Sequence, residues 1–136
     1  MTTLEELNER GMGTLPGLIG LTISEAEEGS LSSRLDLRNE LMAPNGYLHA
    51  ATVIALADTS CGYGTFVNLP EGAESFTTIE LKCNFVGTKR DGVICCEAKL
   101  VHGGRTTQVW DATVSDKEGG KPIALFRCTQ MILYPR

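Results

Sequence analysis

Residues 47 to 66, YLHAATVIALADTSCGYGTF, decide the fold of this chain. The stretch is rich in Ala and Leu, shows no two-residue alternation and is too long for one buried strand, so it reads as a helix. Because it is apolar nearly all round, that helix must be covered on most of its sides. Outward from it the pattern is extended. On the N-terminal side Ile19, Leu21 and Ile23 alternate, Glu28-Gly29 turns, and Leu31, Leu35 and Leu37 share one face of a second strand. On the C-terminal side four strands are expected over about 76–86, 92–101, 105–115 and 121–133, with Ile79, Leu81, Cys83 and Phe85 alternating in the first. Lys89-Arg90-Asp91-Gly92, His102-Gly103-Gly104 and Asp116 to Gly120 carry hairpin chemistry, which predicts a four-strand meander. A short helix is expected over residues 3–12, where Thr3 and Glu6 form a capping box and Gly11 and Gly13 are stops. The order predicts an α+β fold, a six-stranded antiparallel β-sheet wrapped around a long central α-helix.

With 136 residues, 42% of them hydrophobic, the chain fits one domain over 1–136. Its 17 acidic against 12 basic residues give a net charge of -5, too negative for a broad nucleic-acid or anionic-membrane surface. No run approaches the roughly 20 apolar residues that span a bilayer. The start, MTTLEELNER, is acidic where a signal peptide is basic and then apolar, so the expected location is cytoplasmic. The five cysteines, Cys61, Cys83, Cys95, Cys96 and Cys128, show neither a C-x-x-C spacing nor paired histidines. They read as small buried hydrophobes, with no metal site expected.

Between Leu41 and Pro70 Asp58 is the only residue bearing a formal charge, and it sits mid-way along the apolar helix. A buried carboxylate is costly unless it is used or satisfied. Two readings stand: a catalytic acid, or an Asp hydrogen-bonded to a neighbour such as Thr59 or Ser60. The helix is entered through Ala43-Pro44-Asn45-Gly46-Tyr47-Leu48-His49-Ala50, where Gly46 permits an unusual backbone angle and the first turn offers free N–H donors. Such donors suit the negative charge that develops on a carbonyl oxygen under attack. Ala50 and Asp58, eight residues apart, lie about 12 Å apart along one helix, too far to act on one carbon. Two antiparallel helices across a two-fold axis remove the difficulty, which predicts a homodimer with two shared sites.

These residues carry a resemblance. N-G-Y-L-H-A-A-T-V-I-A-L-A-D-T is similar to the G-x-x-H-G-G motif, followed after six residues by an acid and often Thr, of hotdog-fold acyl-CoA thioesterases of the phenylacetic-acid-degradation (PaaI) type. The resemblance implies hydrolysis of an acyl-CoA substrate without metal or organic cofactor, in dimers that often pair into tetramers. It puts the acidic catalyst, as general base or nucleophile, on Asp58, the histidine on His49, the amide that polarises the carbonyl on Ala50, and a water-holding hydroxyl on Thr78. An anionic CoA moiety needs local cations in an acidic protein, and Lys89, Arg90 and Arg105, in or beside turns, read equally as its contacts or as solvated turn cations, while Gly103-Gly104-Arg105 is similar to the family segment that runs along the CoA arm. The glycines after the histidine are Ala50 and Ala51 here, and two polar helpers of the family are replaced by Ala43 and Gly62. Asn45 stands close enough in sequence to replace the first. Their loss leaves a non-catalytic acyl-CoA-binding protein as the alternative. His49 reads equally as a structural hydrogen-bonder at the helix start, and His102 as an exposed turn residue.

Overall fold

The first helix, α1 (Leu4–Arg10), begins where the Thr3 hydroxyl accepts the Glu6 N–H at 3.1 Å, the capping box in place, and Gly11 ends it. It opens the computed structural model of the protein, which describes residues 2–136. A five-residue helix follows, α2 (Leu15–Ile19), with a proline in its first turn and Gly20 at a left-handed φ of 84° closing it. The alternation of Ile19, Leu21 and Ile23 therefore does not belong to one strand. Ile19 ends a helix, and β1 (Thr22–Glu27) starts only after the Gly20 turn.

The remaining elements are β2 (Ser30–Asp36), a single 3-10 turn at Asn39–Leu41, α3 (Ala50–Val67), β3 (Ser75–Phe85), β4 (Val93–Gly103), β5 (Thr107–Asp116) and β6 (Pro122–Leu133). The strands form one six-stranded antiparallel sheet in the order β1-β2-β4-β5-β6-β3. Only the last three make a meander. The expected hairpin at Lys89-Arg90-Asp91-Gly92 is instead part of a crossover, because β3 pairs with β6 at the far edge. Residues 86–92 reach about 23 Å when extended, enough to cross the three strand spacings, about 14 Å, that separate β3 from β4. Backbone bonds from Val86 and Gly87 to the Ile123 carbonyl, and from Leu37 to the Gly92 carbonyl, pin that crossing to the sheet's end. Alternation and turn residues identify strands; they carry no information on which strand lies beside which.

α3 lies on the sheet's inner face. Val53, Leu56, Ala57, Cys61 and Gly64 are buried against it, and the core continues through Leu31, Leu35, Ile94, Cys96, Trp110, Val114 and Phe126. Three of the five thiols, Cys61, Cys96 and Cys128, are core residues. The helix begins at Ala50 rather than at 47, since Leu48 bridges to Met42 in the preceding loop. Ile54, Ala55, Asp58, Thr59, Gly62, Tyr63 and Phe66 are half-buried and recur every three or four residues, so they form the stripe of α3 that the sheet does not cover. No helix among the described residues is long and apolar enough to cross a membrane.

Helix and sheet come close together at Gly64, where an added Cβ would stand 2.7 Å from the Trp110 ring. At Gly62 the same atom would meet only the Phe76 ring at 3.5 Å. Gly64→Ala is expected to lose about 1–3 kcal/mol through overpacking, whereas Gly62→Ala gains up to about 1 kcal/mol from helix propensity. Urea unfolding midpoints of the two variants should therefore move in opposite directions.

Candidate active site

The buried hydroxyls of α3 are satisfied one after another. Thr52 donates to the Leu41 carbonyl at 2.8 Å and Thr65 to that of Cys61 at 2.9 Å. Ser60 donates to the Leu56 carbonyl at 2.7 Å and meets the Ser33 hydroxyl at 2.6 Å. Asp58 is the exception: its Oδ1 is buried and has no hydrogen-bond partner among the described residues. Ser60, one of the two neighbours that could have satisfied it, is turned away. An unbonded Oδ1 leaves the catalytic reading open and is not what a fully satisfied structural carboxylate would show.

Across from Asp58 lies Thr78 of β3, at a β-bulge where the pairing with β6 slips between Thr78 and Glu80 and leaves Ile79 over. Bulges bend a strand and re-aim its side chains. Burial pushes the Asp58 carboxyl above the ordinary carboxylate range, and the Thr78 hydroxyl pulls the other way. Burial is the larger effect, and the hydroxyl's proton goes mainly to Gln130 Oε1, at 2.6 Å. Gln130, fully buried on β6, was not anticipated. A signal was present: it follows Phe126 and Cys128 on the inward phase of the last strand, where a polar residue is out of pattern.

The second part of the site is the start of α3. Gly46 has φ 88°, open only to glycine at ordinary cost. Its turn is closed by the Gly46 N–H to the Ala43 carbonyl at 2.9 Å, and the Asn45 carboxamide oxygen accepts the Tyr47 N–H at 3.2 Å. His49 is the N-cap, its Nδ1 accepting the Ala51 N–H at 2.9 Å while its carbonyl takes those of Thr52 and Val53. This leaves the exposed Ala50 N–H as a helix-terminal donor without a partner among the described residues. Asn45, Gly46, His49 and Ala50 are thus gathered at one end of α3, and Asp58 with Thr78 two turns further along.

The CoA candidates are not one cluster within the chain. Lys89 is engaged by Asp116 at 2.6 Å, which raises the lysine and lowers the carboxyl from their ordinary values. Arg90 stacks on the Tyr47 ring at 4.4 Å, beside the turn that leads into α3. Arg105 stacks on Tyr134 at 4.7 Å and, with Gly103 and Gly104, lines a cleft of about 390 Å³. The two ends of β4 are about 33 Å apart, so Arg90 and Arg105 sit at opposite ends of the sheet. His102 is exposed at the end of β4.

A single helix cradled by an antiparallel sheet, with one unpartnered acid facing a strand hydroxyl, defines the class: a hotdog-fold thioesterase. The chain belongs to the thioesterase superfamily, whose sequence profile matches residues 45–123, more than half of it. It is 30% identical over 111 residues to the 1,4-dihydroxy-2-naphthoyl-CoA hydrolase of Listeria monocytogenes, covering 82% of this chain and 89% of that one. The hydrolase of the same name from Escherichia coli is 26% identical over 117 residues, 86% of this chain and 85% of the relative. A thioesterase from Haemophilus influenzae superposes with a TM-score of 0.92 at 25% identity, over 98% of this chain and 92% of that one. A mutant thioesterase from Pseudomonas aeruginosa gives 0.91 at 26%, over 98% and 95%. These matches support the sequence resemblance at the level of the superfamily.

His49→Ala removes the acceptor that caps α3 and is expected to cost about 1 kcal/mol, whereas His49→Asn keeps a capping oxygen and most of that stability. Thermal melts of the two variants check this.

Proposed function

We propose that the protein is an acyl-CoA thioesterase in which Asp58 serves as general base, the Ala50 N–H holds the oxyanion, and each site is built from two chains. The observation that carries it is Asp58 Oδ1, buried and unpartnered among the described residues on a helix whose buried hydroxyls, those of Thr52, Ser60 and Thr65, are all bonded. The ionised carboxylate takes a proton from water as the water oxygen attacks the thioester carbon. Charge moves onto the carbonyl oxygen, where a helix-terminal N–H stabilises it. The C–S bond then breaks, and the CoA thiolate leaves with the proton that Asp58 held. Thr78, beside the carboxylate, gives the water a second contact. The Nε2 of His49, whose Nδ1 is used as the cap, and the free amide of Asn45 flank the donor end. Arg90 and Arg105 are the outward cations for CoA phosphates, with Gly103 and Gly104 letting the chain approach the CoA arm closely. The names of the Listeria and Escherichia relatives make an aromatic acyl group the first to try.

The sheet edges support a dimer. The β1 edge exposes Ser24, Glu25 and Glu27, which discourage pairing, whereas the eleven-residue β3 edge exposes Ile79, Leu81 and Phe85 at 52%, 40% and 46%. Leu81 pairs with the buried Cys128 and so faces inward beside α3, where a second helix would cover it. Antiparallel packing of two such helices would bring Asp58 of one chain to the Ala50 N–H of the other.

Asp58→Asn should lower kcat for aryl-CoA hydrolysis, followed as free thiol, by about a hundredfold or more. Binding of acyl-CoA with no hydrolysis by the wild type would favour the non-catalytic alternative. In the wild type, kcat/KM should fall as pH falls through the raised Asp58 value, above the ordinary range near 4, because a protonated carboxyl cannot accept the water proton. Stability runs the other way: with a folded pKa above the unfolded one, the fold loses stability as pH rises from the unfolded value to the folded value, the penalty being complete above the latter and absent below the former. At neutral pH, Asp58→Asn should therefore melt at or above the wild-type temperature.

The shared site has its own test. Ala50→Pro removes the donor, yet proline is tolerated at a first helical position and His49 already has the extended backbone it requires, φ -69° and ψ 133°. Ala50→Pro and Asp58→Asn are each expected to be nearly inactive, and dimers re-formed from an equal mixture to recover about a quarter of wild-type activity. No recovery would mean that both groups act within one chain.

A further inference from the structure

The two buried side-chain polar atoms without a partner among the described residues are Asp58 Oδ1, an acceptor, and Gln130 Nε2, a donor. Both belong to neighbours of one hydroxyl, Thr78 Oγ1, which donates to Gln130 Oε1 at 2.6 Å. Gln130 is 0% exposed. With its amide turned round, Nε2 would donate to Thr78 and cease to be an orphan. Thr78 would then point its only proton at Asp58. The arrangement leaves a buried donor unbonded and gives the threonine proton mainly to Gln130, so that the carboxylate receives only a secondary pull from the same hydroxyl.

We propose that Gln130 is a positioning residue that acts through Thr78, holding the threonine proton so that Oγ1 faces the lytic water as an acceptor. The inference rests on the general-base reading above. A water activated for attack gives one proton to Asp58; if its second proton is accepted by Thr78, its remaining lone pair is left for the carbonyl carbon. Thr78 can accept that hydrogen bond while its own proton is engaged elsewhere, and Gln130 Oε1 engages it. No proton leaves Thr78 or Gln130 during the reaction. Without Gln130, the threonine proton turns to the Asp58 carboxylate, which becomes a weaker base, and the water loses its second acceptor. Gln108, the other buried glutamine and the register partner of Gln130 on β5, bonds Trp110 and the Asn68 carbonyl and does not enter the site.

The test is a double-mutant cycle on the full-length protein. Gln130→Met, close in volume and without a polar amide, should lower kcat about tenfold with KM within about twofold, because a fully buried side chain makes no contact with acyl-CoA. In a Thr78→Val background the same substitution should change kcat by less than about twofold. Gln130→Glu, uncharged in this buried place, retains an oxygen for the threonine proton and should stay within about threefold of wild type. Equal losses from Gln130→Met with and without Thr78, a change confined to KM, or a Gln130→Glu variant as impaired as Gln130→Met would each overturn the proposal. Should Gln130→Met not fold, Gln130→Leu takes its place in the cycle with the same expected losses. The failures are distinguishable: if wild type is inactive, or Asp58→Asn as active as wild type, the parent reading falls and this one with it. If Asp58→Asn is inactive while Gln130→Met matches wild type, only the role of Gln130 falls.

Discussion

The close seating of α3 on the sheet is the constraint from which the rest follows. An eighteen-residue helix with almost no polar face has to be covered, and the sheet covers it by curling round it. Gly64 permits the contact, because only a residue without a Cβ lets the Trp110 ring reach the helix backbone. The Trp110 indole N–H is in turn held by Gln108 at 2.8 Å and Gln108 by the Asn68 carbonyl at 2.9 Å, so the contact fixes the helix's C-terminal end as well as its distance. Ser33 and Ser60 pair at 2.6 Å further along, which sets the helix's rotation. A rigid helix with fixed rotation means that Asp58 faces β3 by construction rather than by local adjustment.

One sheet cannot cover a helix on every side. The stripe from Ile54 to Phe66 stays half-exposed, and the β3 edge beside it is apolar while the β1 edge is acidic. The carboxylate therefore sits at the seam between helix and edge strand, in the chain's least complete packing. A raised pKa there has a plain origin. Enough apolar surface surrounds the carboxyl to disfavour its charge, and no cation lies among the causes that shift it.

Much of this was legible from residue order. The apolar run gave the central helix, alternation gave the strands, and a single charge in a long neutral stretch marked Asp58. What escaped has a common physical cause: periodicity reports which face a residue presents, not which element lies opposite. The β3–β6 pairing is such a fact, and with it goes the juxtaposition of Thr78 and Gln130, 52 residues apart. The bulge at Ile79 is another, since the alternation through Ile79, Leu81 and Cys83 continues across it unbroken. α2 was missed for a different reason. Five residues are too few to show a helical period, and only the proline at its start and Gly20 at its end mark it.

The cations illustrate how far position along the chain can mislead. Lys89 and Arg90 are adjacent, yet one is held by Asp116 and the other lies over Tyr47. Stacking leaves the guanidinium edge free, and a planar fork with free donors is what a phosphate requires, so Arg90 and Arg105 retain a capacity that Lys89 has given to the fold. About 33 Å separates the ends of β4, and in the proposed reaction the substrate's carbonyl has to reach the middle of α3 as well. Arg90 and Arg105 of one chain can hardly close on the same nucleotide. Two chains related by a two-fold axis would present each arginine twice and in opposed directions, so the pairing proposed above for Asp58 and a neighbouring Ala50 would also let both arginines serve a single substrate.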